Sequence, residues 1–462
     1  MIALDIFEGK KIALFGLGAS GLSTAIALAA SGAQLICFDD KEENCEKARN
    51  FGLTIKNLRD IFWEDLSFLV LSPGIALTYP EPHWVVKCAK KYSIEIIGDI
   101  ELFCRARRAF LKRNDFSDKD CPFIAITGTN GKSTTTNLTA HLLRAAGFDV
   151  CVGGNIGVPI LSLADFCKGR HYVIECSSFQ IDLTPSIDAT AAALLNLTPD
   201  HIDRHGSFSA YCAAKERLIA QSNCAFVSVD DLASLSIASR QEACIPKMFF
   251  IGKEEQAKTD YFSHNQKLFH REEEQREFLV DLSQSQHLKG PHNIQNSLFS
   301  LAIARFFRKD FSYQEAFDHY ENLPHRMQFV GQKGKIIFIN DSKATNAEAV
   351  APALEAFSNI YWIAGGVAKA GGIEILKGLF PKVQKAYLIG EASLDFSETL
   401  EGKVSYNLCE NLEDAVNRAV MDSQKQDKEA VILLSPACAS YDQFSNYEQR
   451  GEAFIRYARS FL

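Results

Sequence analysis

No two of the 13 cysteines form a CxxC pair. That absence excludes a zinc knuckle of the usual spacing and offers no secreted disulfide framework, so the thiols read as scattered and reduced. Cys438, in the run Ser435-Pro436-Ala437-Cys438-Ala439-Ser440, is read in the same way, as a core thiol. Basic charge is not in excess either: 49 Lys and Arg stand against 57 Asp and Glu, a net charge of -8. A protein whose main partner is nucleic acid needs a basic face, so that class is excluded, whereas a nucleotide pocket lined by a few cations is not. There is no low-complexity tract and no repeat of solenoid period. A convincing membrane span is also missing. The stretch Ile12–Phe38 is uncharged, but glycines, serines, a threonine and a glutamine interrupt it, and Asp5 and Glu8 spoil the basic start of a signal peptide. It reads instead as strand, glycine turn, helix and strand, and the chain is expected to be soluble and cytoplasmic. With 462 residues, 47% of them hydrophobic and 23% charged, the chain has ample material for real cores. Its length suggests roughly two to four domains.

Three α/β blocks follow one another, the pattern of parallel sheets covered by helices. The first, residues 1–110, carries short apolar strands at Ile12–Phe15, Leu35–Phe38 and Phe68–Leu71 and predicts a Rossmann-like domain. A charged stretch, Arg105–Asp120, reads as a linker. The second block, residues 111–323, has strands at Phe123–Thr127, Tyr172–Glu175, Ala191–Asn196 and Ala225–Val229. Its polar portion, 253–290, predicts antiparallel hairpins or loops, and a helix Asn293–Phe307 closes it. The third block, residues 324–462, alternates strands Lys335–Asn340, Tyr361–Ala364, Ala386–Ile389 and Ala430–Leu434 with helices Ala347–Phe357 and Leu412–Gln424. The fold class is therefore α/β: a Rossmann-like N-terminal domain, a P-loop-type central domain with a small antiparallel portion, and a Rossmann-like C-terminal domain.

The sharpest local signal is the apolar strand ending at Thr127 that runs into Gly128-Thr129-Asn130-Gly131-Lys132-Ser133-Thr134. A glycine turn aims backbone N–H groups at a phosphate, a helix starting at Lys132 or Ser133 adds its positive end, and the serine can hold a divalent cation. The loop is shorter than the standard GxxxxGK[ST], since Ile126 stands where its first glycine would be. That argues against a standard GTPase or helicase loop and leaves the mechanics intact. A second glycine turn, Gly16-x-Gly18-x-x-Gly21, precedes Asp39 and Asp40 at the end of the next strand. It fits a dinucleotide, another diphosphate, or a tight turn with no ligand. Glu175 ends a strand, where a second Mg²⁺ ligand opposite Ser133 would sit. The polar run Asn196–His205 follows another strand, and His201 in it is a candidate metal ligand or charge stabiliser.

With Lys215 added, the chain resembles the Mur ligase family of peptidoglycan synthesis. GTNGKS, the glutamate before SSFQ, NLTPDHIDRH, GPHNIQN, HRMQ, NDSKATN and LLSPACASYDQF carry the resemblance, in order, over essentially the whole chain. It implies three domains that close over ATP. It also implies a reaction in which the γ-phosphoryl of ATP activates a carboxylate as an acyl phosphate, which an amine then attacks. The branch resembled takes UDP-N-acetylmuramoyl-L-alanine and D-glutamate as substrates with ATP. The same resemblance implies one Mg²⁺ (Mn²⁺ as a substitute) on Ser133 and Glu175 and a second on His201 and Lys215, with Lys215 carbamylated by CO₂. Lys132, His201, Lys215 and Glu175 are the implied catalytic residues. Gly128, Thr129, Asn130, Gly131, Lys132, Ser133 and Thr134 would cradle the phosphates, Asn293 and Asn296 the adenine, and Arg326, Asp341 and Lys343 the ribose and phosphates. Ser20, Asp39, Asp40 and Ser72 would frame the uridine diphosphate, Asn155 and Gln180 the muramoyl part, and Lys369, Ser440 and Tyr447 the D-glutamate. A monomer without nucleic-acid partner is expected.

The sequence departs from the family pattern in two places. Tyr447 stands where a phenylalanine is expected, and Gly365-Gly366-Val367-Ala368-Lys369 lacks an aspartate after its glycines. Three other readings compete: a ligase of another Mur or folylpolyglutamate type, an NAD-dependent oxidoreductase using Gly16–Gly21, and a nucleotide switch without turnover. A full N-terminal block argues against the folate enzyme, and the missing DNPR-like run argues against the diaminopimelate step.

Overall fold

A computed structural model of the chain describes every residue except 274, 286, 287, 289, 290, 322, 323, 369, 370 and 427, and gives the backbone alone for 291 and 292. The chain divides into two compact units, residues 1–285 with 293–320 and residues 286–292 with 321–462.

The first unit holds two sheets. The smaller is all parallel, with strands Gln34–Phe38, Lys11–Phe15, Phe68–Leu71 and Ile96–Ile97 side by side in that order. Its central strands are apolar runs buried from Ile12 to Phe15 and throughout Phe68–Leu71, as a sheet covered on both faces requires. Because neighbours lie on both sides of Lys11–Phe15, the turn after it opens at a topological switch point, where α/β sheets bind ligands.

The larger sheet has nine strands. Ala225–Ser228, Ala191–Leu194, Phe123–Thr127, Arg170–Glu175 and Asp149–Gly154 lie in that order and run parallel. Met248–Ile251 and Tyr261–His264 extend it in parallel, and Lys267–Glu272 and Gln275–Asp281 end it as an antiparallel hairpin. The hairpin is where polar, weakly periodic sequence predicted one. Phe123–Thr127 is a second switch point, flanked by strands from later in the chain on either side. The helix expected from Asn293 begins at Pro291 and runs to Phe307.

The stretch Arg105–Asp120 is not a linker. Arg105–Arg113 is the second half of a helix, Asp99–Arg113, whose Ile100, Leu102, Phe103, Ala106 and Leu111 enter the core. Arg107 is buried as well; it donates to the Cys121 carbonyl at 2.7 Å and to Thr190 Oγ1 at 3.0 Å and pairs with Asp118. A buried charge is tolerated when its donors are met, and here Thr190 is brought to it from 83 residues away.

In the second unit a six-stranded sheet runs Gln328–Lys333, Ile336–Asn340, Ala430–Leu434, Ile360–Gly365, Val383–Ile389, Tyr406–Leu408, all parallel except the first. Alternate residues feed two cores. Ile360, Trp362 and Ala364 pack with helix Ala347–Ala356, while Tyr361 and Ile363 pack with helices Leu412–Ser423 and Tyr447–Arg459. A two-stranded ladder joins Val367–Ala368 to Cys438–Ala439. Among the described residues no helix is long and apolar enough to cross a membrane.

Candidate active site

The phosphate loop leaves the buried strand Phe123–Thr127 and ends at Gly131, the cap of helix Lys132–Ala145. Two glycines make the turn possible. Gly128 and Gly131 have φ of +152° and +84°, and a Cβ on Gly131 would lie 2.4 Å from Asn296 Oδ1. The loop is pinned from the neighbouring strand end: Thr129 N–H donates to the Asn196 carbonyl and Asn130 N–H to Asn196 Oδ1, both at 2.9 Å. Thr129 Oγ1 also accepts from the Thr198 backbone N–H at 3.0 Å and lies 3.0 Å from the Tyr211 hydroxyl. Lys132 Nζ folds back on the loop, donating to the carbonyls of Gly128 at 3.0 Å and Thr129 at 2.7 Å. Ser133 and Thr134 follow, buried in the first turn. Asn296 accepts from Thr135 Oγ1 at 3.1 Å and donates to Asn293 Oδ1 at 3.3 Å, so both asparagines lie against the loop's helix.

Lys215, on helix Phe208–Ala220, reaches the same loop from below. It is 1% exposed, and its Nζ donates to Thr127 Oγ1 at 2.9 Å and the Gly128 carbonyl at 3.0 Å. Burial, and after it the charge of Lys132, holds its pKa well below the ordinary lysine range. Glu175 ends the adjacent strand, in register with Ile126, and is buried. Asn155 grips it twice, with Nδ2 on Oε1 at 3.0 Å and backbone N–H on its carbonyl at 2.9 Å. His201 sits at φ +52° on the loop after Ala191–Leu194, with its ring edge-on to Phe179 at 4.9 Å and Nε2 3.5 Å from Asp200. Its neighbour His205 is the buried one: it stacks on Phe179 and meets Ser178 Oγ at 2.9 Å. Burial lowers its pKa, the behaviour of a structural histidine.

A cavity of about 600 Å³ adjoins the first glycine turn. Ser20, Asp39, Ser72, Asn155 and Gln180 line it, together with Lys41 and Asn44, which the sequence reading did not single out. Asp39 serves the turn itself, accepting from Leu17 N–H at 2.6 Å and Asn44 Nδ2 at 3.1 Å. Ser72 donates to the Gly16 carbonyl at 2.7 Å. Asp40 is not part of the lining; its carboxylate lies 2.9 Å from His83 Nε2. A polar residue shortly after the strand-end aspartate would have been the signal for Lys41 and Asn44.

In the second unit, Asp341 follows the strand Ile336–Asn340 and is buried. It accepts from Met327 N–H at 3.1 Å and Ser435 Oγ at 2.7 Å. Burial pushes its carboxyl up to about 6, against the opposing hydrogen bond from Ser435 and the charge of Arg326. Lys343 Nζ lies 5.4 Å over the Tyr447 ring, and Tyr447 opens the last helix. Ser440 is buried just after the short ladder that includes Cys438. Lys369 lies outside the described residues.

The Mur ligase middle domain matches residues 126–304, and the Mur ligase glutamate ligase domain matches residues 325–438. Over 459 residues the chain is 50% identical to the UDP-N-acetylmuramoylalanine–D-glutamate ligase of Bartonella henselae, covering 99% of this chain and 98% of that protein. The chain belongs to the Mur ligase family. Ligases of the same name from Brucella abortus and Agrobacterium fabrum are 48% and 49% identical, each match covering 98% of this chain and 96% of the relative. Among solved structures the fold is similar to the UDP-N-acetylmuramate-alanine ligase of Thermotoga maritima, at TM-score 0.58 and 16% identity over 98% of this chain and 100% of that one. It is also similar to the MurF ligase of Thermotoga maritima in complex with ADP, at TM-score 0.59 and 14% identity over 100% and 98% of the two chains. A Mur ligase fold accounts for the three sheets, each built mainly of parallel strands.

Proposed function

We propose that this Mur ligase joins D-glutamate to UDP-N-acetylmuramoyl-L-alanine at the expense of ATP, releasing ADP and phosphate, in peptidoglycan synthesis. The observation that carries the reading is near-half identity over almost the whole length to several ligases of that name. The geometry of the first unit supports it, because a phosphate loop and a separate cavity are what an ATP-dependent ligase of a nucleotide sugar needs.

In this reading residues 1–110, 111–323 and 324–462 are the nucleotide-sugar, ATPase and amino-acid domains. ATP phosphates lie on Gly128–Thr134, and Lys132 together with the helix N-terminus offsets their repulsion toward the substrate carboxylate. Asn293 and Asn296 meet the adenine, and Arg326, Asp341 and Lys343 the ribose and phosphates. Ser133 in the first turn of the loop's helix and Glu175 at the end of the strand beside Phe123–Thr127 offer a hydroxyl and a carboxylate, hard oxygen donors that suit Mg²⁺ or Mn²⁺. Bound there, the cation would neutralise charge on the transferring phosphoryl group. A second cation suits His201 and Lys215 only if the lysine becomes an anion. Burial, and after it the charge of Lys132, favours the neutral amine at Lys215, the form that adds CO₂ to give a carbamate. Ser20, Asp39 and Ser72 frame the uridine diphosphate, with Asp40 outside the lining beside His83; Asn155 and Gln180 meet the muramoyl group, and Lys369, Ser440 and Tyr447 the D-glutamate. ATP and a nucleotide sugar as substrates place the reaction in the cytoplasm, where the chain acts as a monomer.

The test is ADP release with ATP, Mg²⁺ and UDP-N-acetylmuramoyl-L-alanine, with D-glutamate, L-glutamate, L-alanine or diaminopimelate in separate wells. Release with D-glutamate alone is the expected result. Release only with another amino acid would move the protein to another step, and silence in every well would sink the reading.

A further inference from the structure

Asp99 opens the helix Asp99–Arg113 and is 4% exposed, yet neither the phosphate loop nor the cavity uses it directly. Its carboxylate lies behind two residues that do face the cavity. Ser20 Oγ donates to Oδ2 at 2.6 Å, and Gln180 Nε2 lies 3.3 Å from Oδ2 and 3.5 Å from Oδ1. The Ile100 N–H takes Oδ1 at 2.9 Å.

These partners come from separate parts of the unit. Ser20 lies on the helix after the first glycine turn, which follows a strand of the smaller sheet, and Gln180 on the short helix Ser178–Asp182 that follows the larger sheet's Glu175. Gln180 is held at its other end too, its Oε1 accepting from Ser177 N–H at 3.2 Å. One residue before Asp99, Gly98 N–H donates to the Leu183 carbonyl at 2.8 Å, and a Cβ on Gly98 would lie 2.9 Å from Leu183 Cβ. The start of one helix is thus locked to the end of the other, and the Asp99 carboxylate is the only group in this junction that bonds both cavity-lining side chains.

All the donors to Asp99 are neutral, and burial pushes its carboxyl up. A carboxylate in that setting is costly, and an apolar residue would be cheaper for stability alone. Its gain lies in geometry, because a carboxylate accepts several hydrogen bonds at once and fixes the rotamers that make them.

We propose that Asp99 is a positioning residue for the nucleotide-sugar substrate, holding Ser20 and Gln180 at one spacing across the cavity by accepting a hydrogen bond from each. The inference rests on the reading that this cavity takes UDP-N-acetylmuramoyl-L-alanine.

Steady-state kinetics of Asp99→Ala and Asp99→Asn test it, with KM measured separately for the nucleotide sugar, ATP and D-glutamate. In Asp99→Ala the nucleotide-sugar KM should rise about tenfold or more, with kcat and the ATP KM within about threefold of wild type. Asp99→Asn keeps one carbonyl oxygen for Ser20 or Gln180 and should fall between. A purely structural role would instead lower the melting temperature and move all three KM values together, and that outcome overturns the proposal. So does an unchanged nucleotide-sugar KM in either folded variant. Should Asp99→Ala fail to fold, Asp99→Asn added to the Ser20→Ala, Gln180→Ala double variant decides: with both clamped side chains gone, a shared clamp predicts little further change in the nucleotide-sugar KM, and an additive effect refutes it. Wild-type turnover separates the two readings. If it is present, flat variant KM values refute the role of Asp99 alone; if it is absent, the reading of the cavity falls, and this proposal with it.

Discussion

Lys132 Nζ and Lys215 Nζ donate to the same atom, the carbonyl oxygen of Gly128, each at 3.0 Å. Two ammonium groups that close repel, and the low-dielectric setting makes the repulsion count. Lys215 is the buried partner, and burial together with the charge of Lys132 lowers its pKa. The loop's first carbonyl is thus shared by a part-buried and a fully buried lysine, to which the proposed function gives different tasks.

That division predicts different behaviour for the two alanine variants. Lys132→Ala removes a cation from the transferring phosphoryl, and turnover should fall by about 100-fold or more with no rescue by added acids. Lys215→Ala should be equally slow, but small carboxylic acids should restore part of the rate by standing in for the carbamate. A Lys215→Ala enzyme at full activity, or one that no carboxylic acid rescues, would count against the carbamate.

Gly131→Ala meets two obstacles, a φ of +84° and the Asn296 carbonyl oxygen 2.4 Å from the new methyl. The backbone term alone costs about 1–2 kcal/mol, and the clash adds to it by displacing Asn296 from the loop. ATP affinity measured by calorimetry should drop about tenfold or more. Gly9, at φ +68° with open space around it, is the control. Its alanine variant should lose about 1 kcal/mol of stability and bind ATP as before.

Asp341 supplies a pH prediction. Its carboxyl is raised to about 6 in the fold from an ordinary 3.8, so between those values the folded state binds the proton that the unfolded state has released. Its contribution to stability therefore falls as pH rises from about 4 to 6 and is level above. Asp341→Asn removes the titration. The difference in melting temperature, variant minus wild type, should grow over that pH range and then stay constant. A difference independent of pH would mean that Asp341 ionises normally.

Among the described cysteines Cys244 is exposed, whereas Cys438 is buried and pushed up to about 12 by burial. A chromogenic disulfide reagent should find Cys244 in its fast phase and leave Cys438 untouched until the protein unfolds. Cys244→Ser should abolish the fast phase without changing turnover. A fast phase that survives that substitution and disappears with Cys438→Ser would reverse the assignment.

Both glycine turns, the strand before each and the acid at the end of Arg170–Glu175 were legible in the chain itself. Their signals are local: an apolar run needs only its own buried residues to be recognised, and a glycine only its own φ. So was the family, because the runs that carry the resemblance are each contiguous in the chain. The dinucleotide reading of Gly16–Gly21 was open for the same reason, since a tight turn looks alike whichever diphosphate it meets.

Other features were decided only by the tertiary structure. Arg107 looked like part of a linker because its burial depends on partners such as Thr190, 83 residues away, that only folding brings to it. Asp99 carried no motif, since its meaning lies in Ser20 and Gln180, 79 and 81 residues away. Lys215 was legible as a lysine, but its full burial against Thr127 and the Gly128 carbonyl was not. Local residue types set which backbone a segment can adopt, whereas charge state and hydrogen-bond partners depend on the order in which distant strands are laid side by side.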